Sequence, residues 1–178
     1  MAQTINTCLA ASYEAPVLAV RSCIGRSDDL LTGRSYYIAE VESLLELIAA
    51  SAGQAPHLFL LDELFRGTNA VERIAAGEAV LRELLAGAGR LTPHIVLAAT
   101  HDGELVDLLP DLFEPRHFGD TAGPDGLSFD YRLTPGPATS RNAIALLRLH
   151  GAPATLVDRA LRSAAAIDAL RGTALEGR

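Results

Sequence analysis

The chain has 178 residues, of which 49% are hydrophobic and 21% are charged, and its formal net charge at pH 7 is -7. This length and apolar content predict a globular unit with a sizeable core and exclude a disordered chain. The acidic balance argues against a broad DNA-binding face, because non-specific affinity for duplex DNA comes from Lys and Arg that neutralise phosphates.

Cysteine use and hydropathy bear on the compartment. Cys8 and Cys23 are too few for the disulfide framework of a secreted domain and lack the close spacing of a zinc site. No apolar run approaches the ~18 residues that span a bilayer, and the N-terminus lacks the basic-then-apolar order of a signal peptide. The sequence therefore predicts a cytoplasmic protein with no membrane partner.

Apolar periodicity predicts alternating strands and helices in the first half of the chain. Residues 3–11 have the pattern of the end of a helix, and PVLAV at 16–20 that of a short buried strand. A helix is predicted over 36–50, with Ser35 at its N-cap position. LFLLD at 58–62 is too uniformly apolar for a half-exposed strand and is typical of the centre of a parallel sheet.

The second half continues this alternation and then becomes helical. A helix is predicted over 71–85 and a buried strand over 94–100, followed by a short helix. RHFGD and LSFDYRL flank the turn TAGPDG and predict a hairpin. Two amphipathic helices over 141–149 and 153–170, joined by HGAP, have the spacing of a helix-turn-helix. The pattern predicts one α/β domain with a helical appendage.

Two neighbouring acids, Asp62 and Glu63, follow the four apolar residues at 58–61. Open α/β folds place ligands at the carboxyl ends of their parallel strands, so both acids are expected at a ligand crevice. Because strand side chains alternate, the two carboxylates can take different tasks. One can hold a magnesium ion and the other can orient a water for attack on a phosphoryl group. Alternatively, the acids cap the following turn or pair with Arg66.

Two further features favour a phosphate-handling site. The next buried strand ends at Thr100, so His101 is expected at the same sheet edge, where a neutral imidazole can bond a phosphate oxygen or the attacking water. In TGRS, Gly33 permits close backbone approach, and Ser35 with the following helix N-terminus forms an anion site. Each residue also has an ordinary interpretation, His101 as a loop residue and Ser35 as an N-cap.

Taken together, these residues resemble the ATPase domain of the MutS family of DNA mismatch repair proteins, an ABC-class ATPase. The segments that carry the resemblance are SDDLLTGRSYYIAEVESLLEL, HLFLLDELFRGTNAVERIAAGEAVL, LAATHDGELVDLL and LSFDYRLTPGPATSRNAIALLRLHGAPATLVDRAL. They are similar, in order, to the family's signature segment, its Walker B strand with D-loop and helix, its switch-histidine strand, and its closing strand with helix-turn-helix.

The resemblance implies roles for individual residues. Asp62 would coordinate Mg²⁺, Glu63 would polarise the hydrolytic water, and His101 would sense the γ-phosphate of ATP. Residues 67–69 (Gly67, Thr68 and Asn69) would form a D-loop that crosses to the other subunit. Gly33 and Ser35 would act in trans on a nucleotide held mainly by the partner. The partner would be a second copy or a MutS-like subunit, and DNA would be bound by parts of a parent protein outside this chain.

The sequence departs from the family pattern at the phosphate loop. The motif G-x-x-x-x-G-K-[ST] is absent from these 178 residues, and so is the strand that would feed it. We expect this absence to remove a central neighbour from LFLLD and to expose an apolar edge.

The resemblance implies a partial P-loop ATPase fold of the ABC/MutS type, with a mainly parallel sheet flanked by helices. Residues 1–138 would be the partial ATPase core and 139–178 a helix-turn-helix used for dimerisation. ATP hydrolysis coupled to dimer closure would then belong to an intact parent, and this chain alone is predicted inactive. The alternatives are a standalone non-enzymatic module that dimerises or acts in trans, and a fragment of another ABC-class ATPase.

Overall fold

A computed structural model describes residues 11–24, 36–86, 94–123, 126–138 and 142–176. Its elements, in chain order, are β1 (Ala19–Cys23), α1 (Tyr36–Ser51), β2 (His57–Asp62), α2 (Ala70–Leu85), β3 (Ile95–Ala99), α3 (Gly103–Leu108), β4 (Arg116–Gly123), β5 (Gly126–Pro135), α4 (Ala143–Leu149) and α5 (Ala154–Glu176). The predicted α/β class is confirmed. The predicted helix over 3–11 lies outside the described residues, apart from its last position.

The chain divides into two compact units, residues 1–113 and 114–178. The first contains a three-stranded parallel sheet in the order β1-β2-β3. The second contains the antiparallel hairpin β4-β5 and the helices α4 and α5, which contact each other across a short connection. The hairpin thus groups with the C-terminal helices, whereas the sequence boundary at 138/139 groups it with the core.

The central position of β2 is confirmed, since β1 and β3 both pair with it in parallel. The expectation that LFLLD would lack a neighbour is therefore wrong. The predicted strand over 16–20 is also displaced, because β1 begins at Ala19 and continues through the polar residues Arg21 and Ser22 to Cys23, pairing with β2 along its length. Among the described strands β1 is at an edge of the sheet, where Arg21 and Ser22 stay exposed on opposite faces, so an apolar run alone does not locate it.

One face of the sheet carries the core of the first unit. Along β2, side chains alternate between buried and half-buried, as period-two geometry requires. The buried members, Phe59 and Leu61 among them, pack with Leu44 of α1 and with Leu81 and Leu84 of α2. The apolar stripes of the two helices therefore cover this face, which explains why helical periodicity located them correctly.

The other face of the sheet is open among the described residues and mainly apolar, with the polar Ser22 beside Leu60. Strand register aligns Val20, Leu58 and Ile95 in one row and places Leu60 beside Leu97 in the next. Val20, Ile95 and Leu97 are exposed, while Leu58 and Leu60 are half-buried. We refer to these five residues as the open face.

Two buried histidines, His57 and His94, lie at the amino end of β2. The backbone N–H of His57 donates to Nδ1 of His94 over 3.1 Å, and Nε2 of His94 lies 3.0 Å from the carbonyl oxygen of Ser51. A carbonyl can only accept, so Nε2 of His94 is the donor to Ser51, while Nδ1 is the acceptor from His57. The His94 ring thereby links β2 to the last residue of α1.

The core position of Leu84 gives a first prediction. Leu84 is 0% exposed on α2, so Leu84→Ala leaves a cavity and should lower the free energy of unfolding by about 2–5 kcal/mol. Urea denaturation followed by circular dichroism measures this change. The control is Leu45→Ala on α1, where the side chain is 59% exposed, with an expected change within about 0.5 kcal/mol. Equal losses for the two variants would contradict the assignment of the core.

Candidate active site

Asp62 and Glu63 lie where the sequence places them, at the carboxyl end of β2. Asp62 is the last residue of the strand, is half-buried, and pairs in register with Ala99 of β3. The N–H of Glu63 donates to the carbonyl oxygen of Ala99 over 3.0 Å, which extends the ladder by one bond. Both acids are thus fixed to the end of the neighbouring strand.

Glu63 itself lies past the strand in a left-handed backbone conformation, with φ of 54°. The expectation that strand alternation separates the two carboxylates is therefore wrong, because alternation ends at Asp62. A turn orients Glu63 instead. Phe65 adopts a similar conformation, with φ of 57°, and the N–H of Thr68 donates to its carbonyl oxygen over 3.2 Å. Residues 63–65 are called the acid turn below.

The structure brings Glu63 and His101 together. Oε1 of Glu63 lies 3.8 Å from Nε2 of His101, and the side chains are 22% and 92% exposed, respectively. Oε2 of Glu63 lies 3.8 Å from Nε of the exposed Arg66, the pairing that the sequence left open. Both distances exceed a direct hydrogen bond, so the carboxylate oxygens can still accept from a water.

An ion pair that sequence reasoning missed holds the loop that carries His101. Arg73 of α2 donates from Nε and Nη2 to the two carboxylate oxygens of Asp102, over 2.7 and 2.6 Å. This bidentate pairing raises the pKa of Arg73. The N–H of Asp102 also donates to Oγ1 of Thr100 over 3.0 Å. His101 is therefore flanked by two fixed residues although its own side chain is open to solvent.

The predicted D-loop residues, 67–69, directly precede the first residue of α2. Asn69 is the N-cap, and its Oδ1 accepts from the N–H of Glu72 over 3.0 Å. The hydroxyl of Thr68 donates to Glu72 over 2.8 Å, and Gly67 lies against the ring of Tyr37. Gly67 and Asn69 are exposed and Thr68 is half-buried. Gly33 and Ser35 lie outside the described residues, so their roles stay predictions.

A second missed residue is Glu40 on α1. It is 3% exposed, and its Oε1 accepts from the N–H of Phe65 in the acid turn over 2.6 Å. Burial raises the pKa of Glu40, and the hydrogen bond from Phe65 partly offsets this. The sequence held a signal for this residue, since it lies four positions before the buried Leu44 and hence on the buried side of the helix.

This raised pKa predicts a pH dependence of stability. The stabilisation from Glu40 is present below its ordinary pKa of 4.5 and is lost as pH rises through the higher folded-state value. Between those two pH values, the wild-type chain should therefore lose stability relative to Glu40→Gln. Urea denaturation from about pH 4 to about pH 8 measures the difference. Glu46→Gln, an exposed change on the same helix, should follow the wild type, whereas parallel curves for Glu40→Gln would contradict the prediction.

Comparison with known proteins places the chain. The family model of MutS domain V matches residues 2–168. DNA mismatch repair protein MutS 2 of Halobacterium salinarum is 36% identical over 140 residues, which cover 77% of this chain and 15% of that protein. MutS of Natronomonas pharaonis is 35% identical over 77% of this chain and 16% of its own length. MutS of Thermus thermophilus is 32% identical over 86% and 18%.

The chain therefore spans about a sixth of the length of these relatives. Among the described residues, no helix is both long and apolar enough to cross a membrane. Asp62, Glu63, His101 and the capped helix α2 all lie within the matched residues, which cover nearly the whole sequence. The chain belongs to the MutS family of DNA mismatch repair proteins and corresponds to its domain V.

Proposed function

We propose that this chain supplies the Walker B and switch-histidine portion of an ATP-hydrolysing site in a MutS-type protein. The observation that carries the proposal is the 3.8 Å approach of the Glu63 carboxylate to the His101 imidazole, at the ends of two neighbouring parallel strands. A carboxylate that can accept from water beside an exposed imidazole suits phosphoryl transfer to water. In an intact parent, hydrolysis would be coupled to dimer closure and to DNA.

The residues at the strand ends fit Mg²⁺ in one respect. Mg²⁺ is usually bound by one or two carboxylates together with water and substrate phosphates, and Asp62 offers one half-buried carboxylate at the ligand edge of the sheet. The described ranges hold no group of three or more His, Cys, Asp or Glu arranged for a metal. Asp62 would therefore hold the ion together with phosphate oxygens. Bound there, Mg²⁺ would neutralise charge on the phosphates.

Glu63 and His101 have separable tasks in this proposal. Glu63 accepts a hydrogen bond from the attacking water and orients it, and its partial burial favours this ordered geometry over free solvation. His101 is exposed and donates to a γ-phosphate oxygen from its imidazole. The Arg73–Asp102 pair restricts the loop of His101, so that only the side chain of His101 has to be ordered when nucleotide binds.

The phosphate cradle must come from polypeptide outside this sequence. The 178 residues contain no lysine and no G-x-x-x-x-G-K-[ST] motif, so this chain lacks the backbone nest and the ammonium group that hold the β- and γ-phosphates. Gly33 and Ser35 would contribute in trans to a partner's nucleotide. Gly67, Thr68 and Asn69 would face that partner while also capping α2. The site is thus shared between subunits.

A second candidate function is a non-enzymatic module that dimerises or pairs with a MutS-like subunit. The observation that favours it is the same lack of lysine and of the phosphate loop. Both candidate functions require a surface that binds a partner. The resemblance to the MutS family implies that the C-terminal helices form this surface. On α5, Leu156 and Ile167 lie eleven residues apart, close to three helical turns, so both are on one side of the helix. They are 45% and 52% exposed.

Hydrolysis is tested in a chimera of Thermus thermophilus MutS that carries this chain in place of the matched region. Glu63→Gln should retain nucleotide binding but lower ATP turnover by about 100-fold or more, because the group that orients water loses its basicity. Steady-state ATPase assays and binding of a fluorescent nucleotide measure both properties. Glu83→Gln, an exposed change on α2, is the control.

Unchanged turnover in Glu63→Gln would remove Glu63 from the mechanism. A folded chimera that binds DNA but has no ATPase activity, although the Thermus parent is active, would support the non-enzymatic module instead.

Dimerisation is tested on the 178-residue chain by sedimentation equilibrium. The double variant Leu156→Gln and Ile167→Gln should weaken self-association by at least about tenfold, since a buried Leu or Ile contributes about 1.5–3 kcal/mol. Leu161→Gln is the control, because Leu161 is 46% exposed but points away from the Leu156 side of the helix. An equal effect of the control would contradict the proposed face.

A further inference from the structure

The acid turn has a backbone that cannot be stable by local preference. Glu63 and Phe65, with φ of 54° and 57°, are both in the left-handed region, where a non-glycine residue carries a steric cost. Two such residues in a stretch of three persist only when surrounding structure restrains them. The contacts that restrain the acid turn therefore also determine where the Glu63 carboxylate lies.

Several restraints act on this turn. The side chains of Leu64 and Phe65 are buried in the core, and the N–H of Glu63 is bonded to Ala99 of β3. The only hydrogen bond among the described contacts of the Phe65 N–H goes to a side chain from a separate element, Oε1 of Glu40, 25 residues earlier in the sequence. At 2.6 Å this is a short bond to a buried carboxylate, a geometry that orders both partners.

Burial of a carboxylate costs desolvation free energy that packing alone would not require. Among the residues that the structure describes, Oε2 of Glu40 is buried and has no hydrogen-bond partner. A leucine at this position would fill similar space beside Leu44 and Leu47 with no desolvation cost. This desolvation cost is explained if the fold requires a hydrogen-bond acceptor at Glu40. The group that donates to Glu40 is the Phe65 amide.

We propose that Glu40 is a positioning residue: its carboxylate holds the Phe65 amide and so fixes the acid turn that sets Glu63 opposite His101. The catalytic meaning of Glu63 in this inference rests on the proposed function, whereas the positioning of the turn does not. Glu40 lies in the second turn of α1, five residues after Ser35. The helix that follows the predicted trans-acting segment is thereby tied to the acid of its own subunit.

The geometry is tested on the 178-residue chain with four variants. Glu40→Leu removes the acceptor, Glu40→Gln keeps an acceptor oxygen, Leu44→Ala creates a cavity in the same helix, and Glu46→Gln changes an exposed acid. Because the chain has no lysine, trypsin cuts only after arginine, and Arg66 directly follows the acid turn. Cleavage after Arg66 is followed by mass spectrometry, and the Phe65 amide by ¹H–¹⁵N NMR.

In the wild type, the Phe65 amide proton should be shifted downfield and should move with pH as Glu40 titrates. Glu40→Leu should shift this proton upfield and speed cleavage after Arg66 by roughly tenfold, through more frequent local opening. Glu40→Gln should keep slow cleavage but abolish the pH response. Leu44→Ala should lower the melting temperature while leaving both turn signals as in the wild type, which separates positioning from stability.

An unchanged Phe65 amide and unchanged Arg66 cleavage in Glu40→Leu would overturn the inference. Should Glu40→Leu fail to fold, Glu40→Gln decides the question, because a pH response of the Phe65 amide that persists in this variant would also overturn it.

The same substitutions in the chimera test the functional part. Glu40→Leu should lower kcat for ATP by roughly tenfold with little change in KM, and Glu40→Gln should retain most of the activity. A loosened turn with unchanged kcat, in a chimera where Glu63→Gln abolishes turnover, would overturn the positioning of Glu63. If neither Glu40→Leu nor Glu63→Gln changed ATP turnover in the chimera, the proposed function would be contradicted. The NMR result for the acid turn would still stand.

Discussion

The pairing of β2 with β3 is the interaction on which the rest of the site depends. Its register matches Asp62 to Ala99, and the bond from the Glu63 N–H to Ala99 continues it by one residue. A slip of one residue would move every buried side chain of β2 to the opposite face of the sheet, so the packing of Phe59 and Leu61 holds the register. Burial in the core thereby determines that a carboxylate and an imidazole meet at the strand ends.

Two helices on the same face of the sheet restrain the two groups. Glu40 of α1 bonds the acid turn, and Arg73 of α2 bonds the loop that carries His101. Both bonds use a charged partner that is at least partly shielded from water, which strengthens them relative to surface contacts. In the proposed ATPase, a displacement of either helix would alter the distance between Glu63 and His101 without any change in the residues that meet substrate. Movement at a subunit contact could therefore reach the chemistry through rigid elements.

Much of this arrangement follows from the sequence, but not all of it. Periodicity located α1, α2, β2 and β3, and the rule for strand ends brought Glu63 towards His101. The alternation argument failed at Glu63, because a left-handed turn depends on tertiary restraints that period-two patterns do not contain. Bonds between distant residues, such as Arg73 with Asp102, leave no local pattern. Glu40 did leave one, in its spacing from Leu44, but acids on amphipathic helices are ordinarily assigned to the solvated side.

The open face of the sheet has an electrostatic consequence for Asp62. By strand alternation, Asp62 is on the same side of β2 as Leu58 and Leu60, so it borders this apolar surface as well as the ligand edge. Polypeptide that covered the surface would exclude water from one wall around the carboxylate and lower the local dielectric constant. Coulomb attraction between the carboxylate and a nearby cation would strengthen accordingly. Assembly on a surface with no charged groups of its own would thus tune how tightly the neighbouring acid attracts the cation of the proposed site.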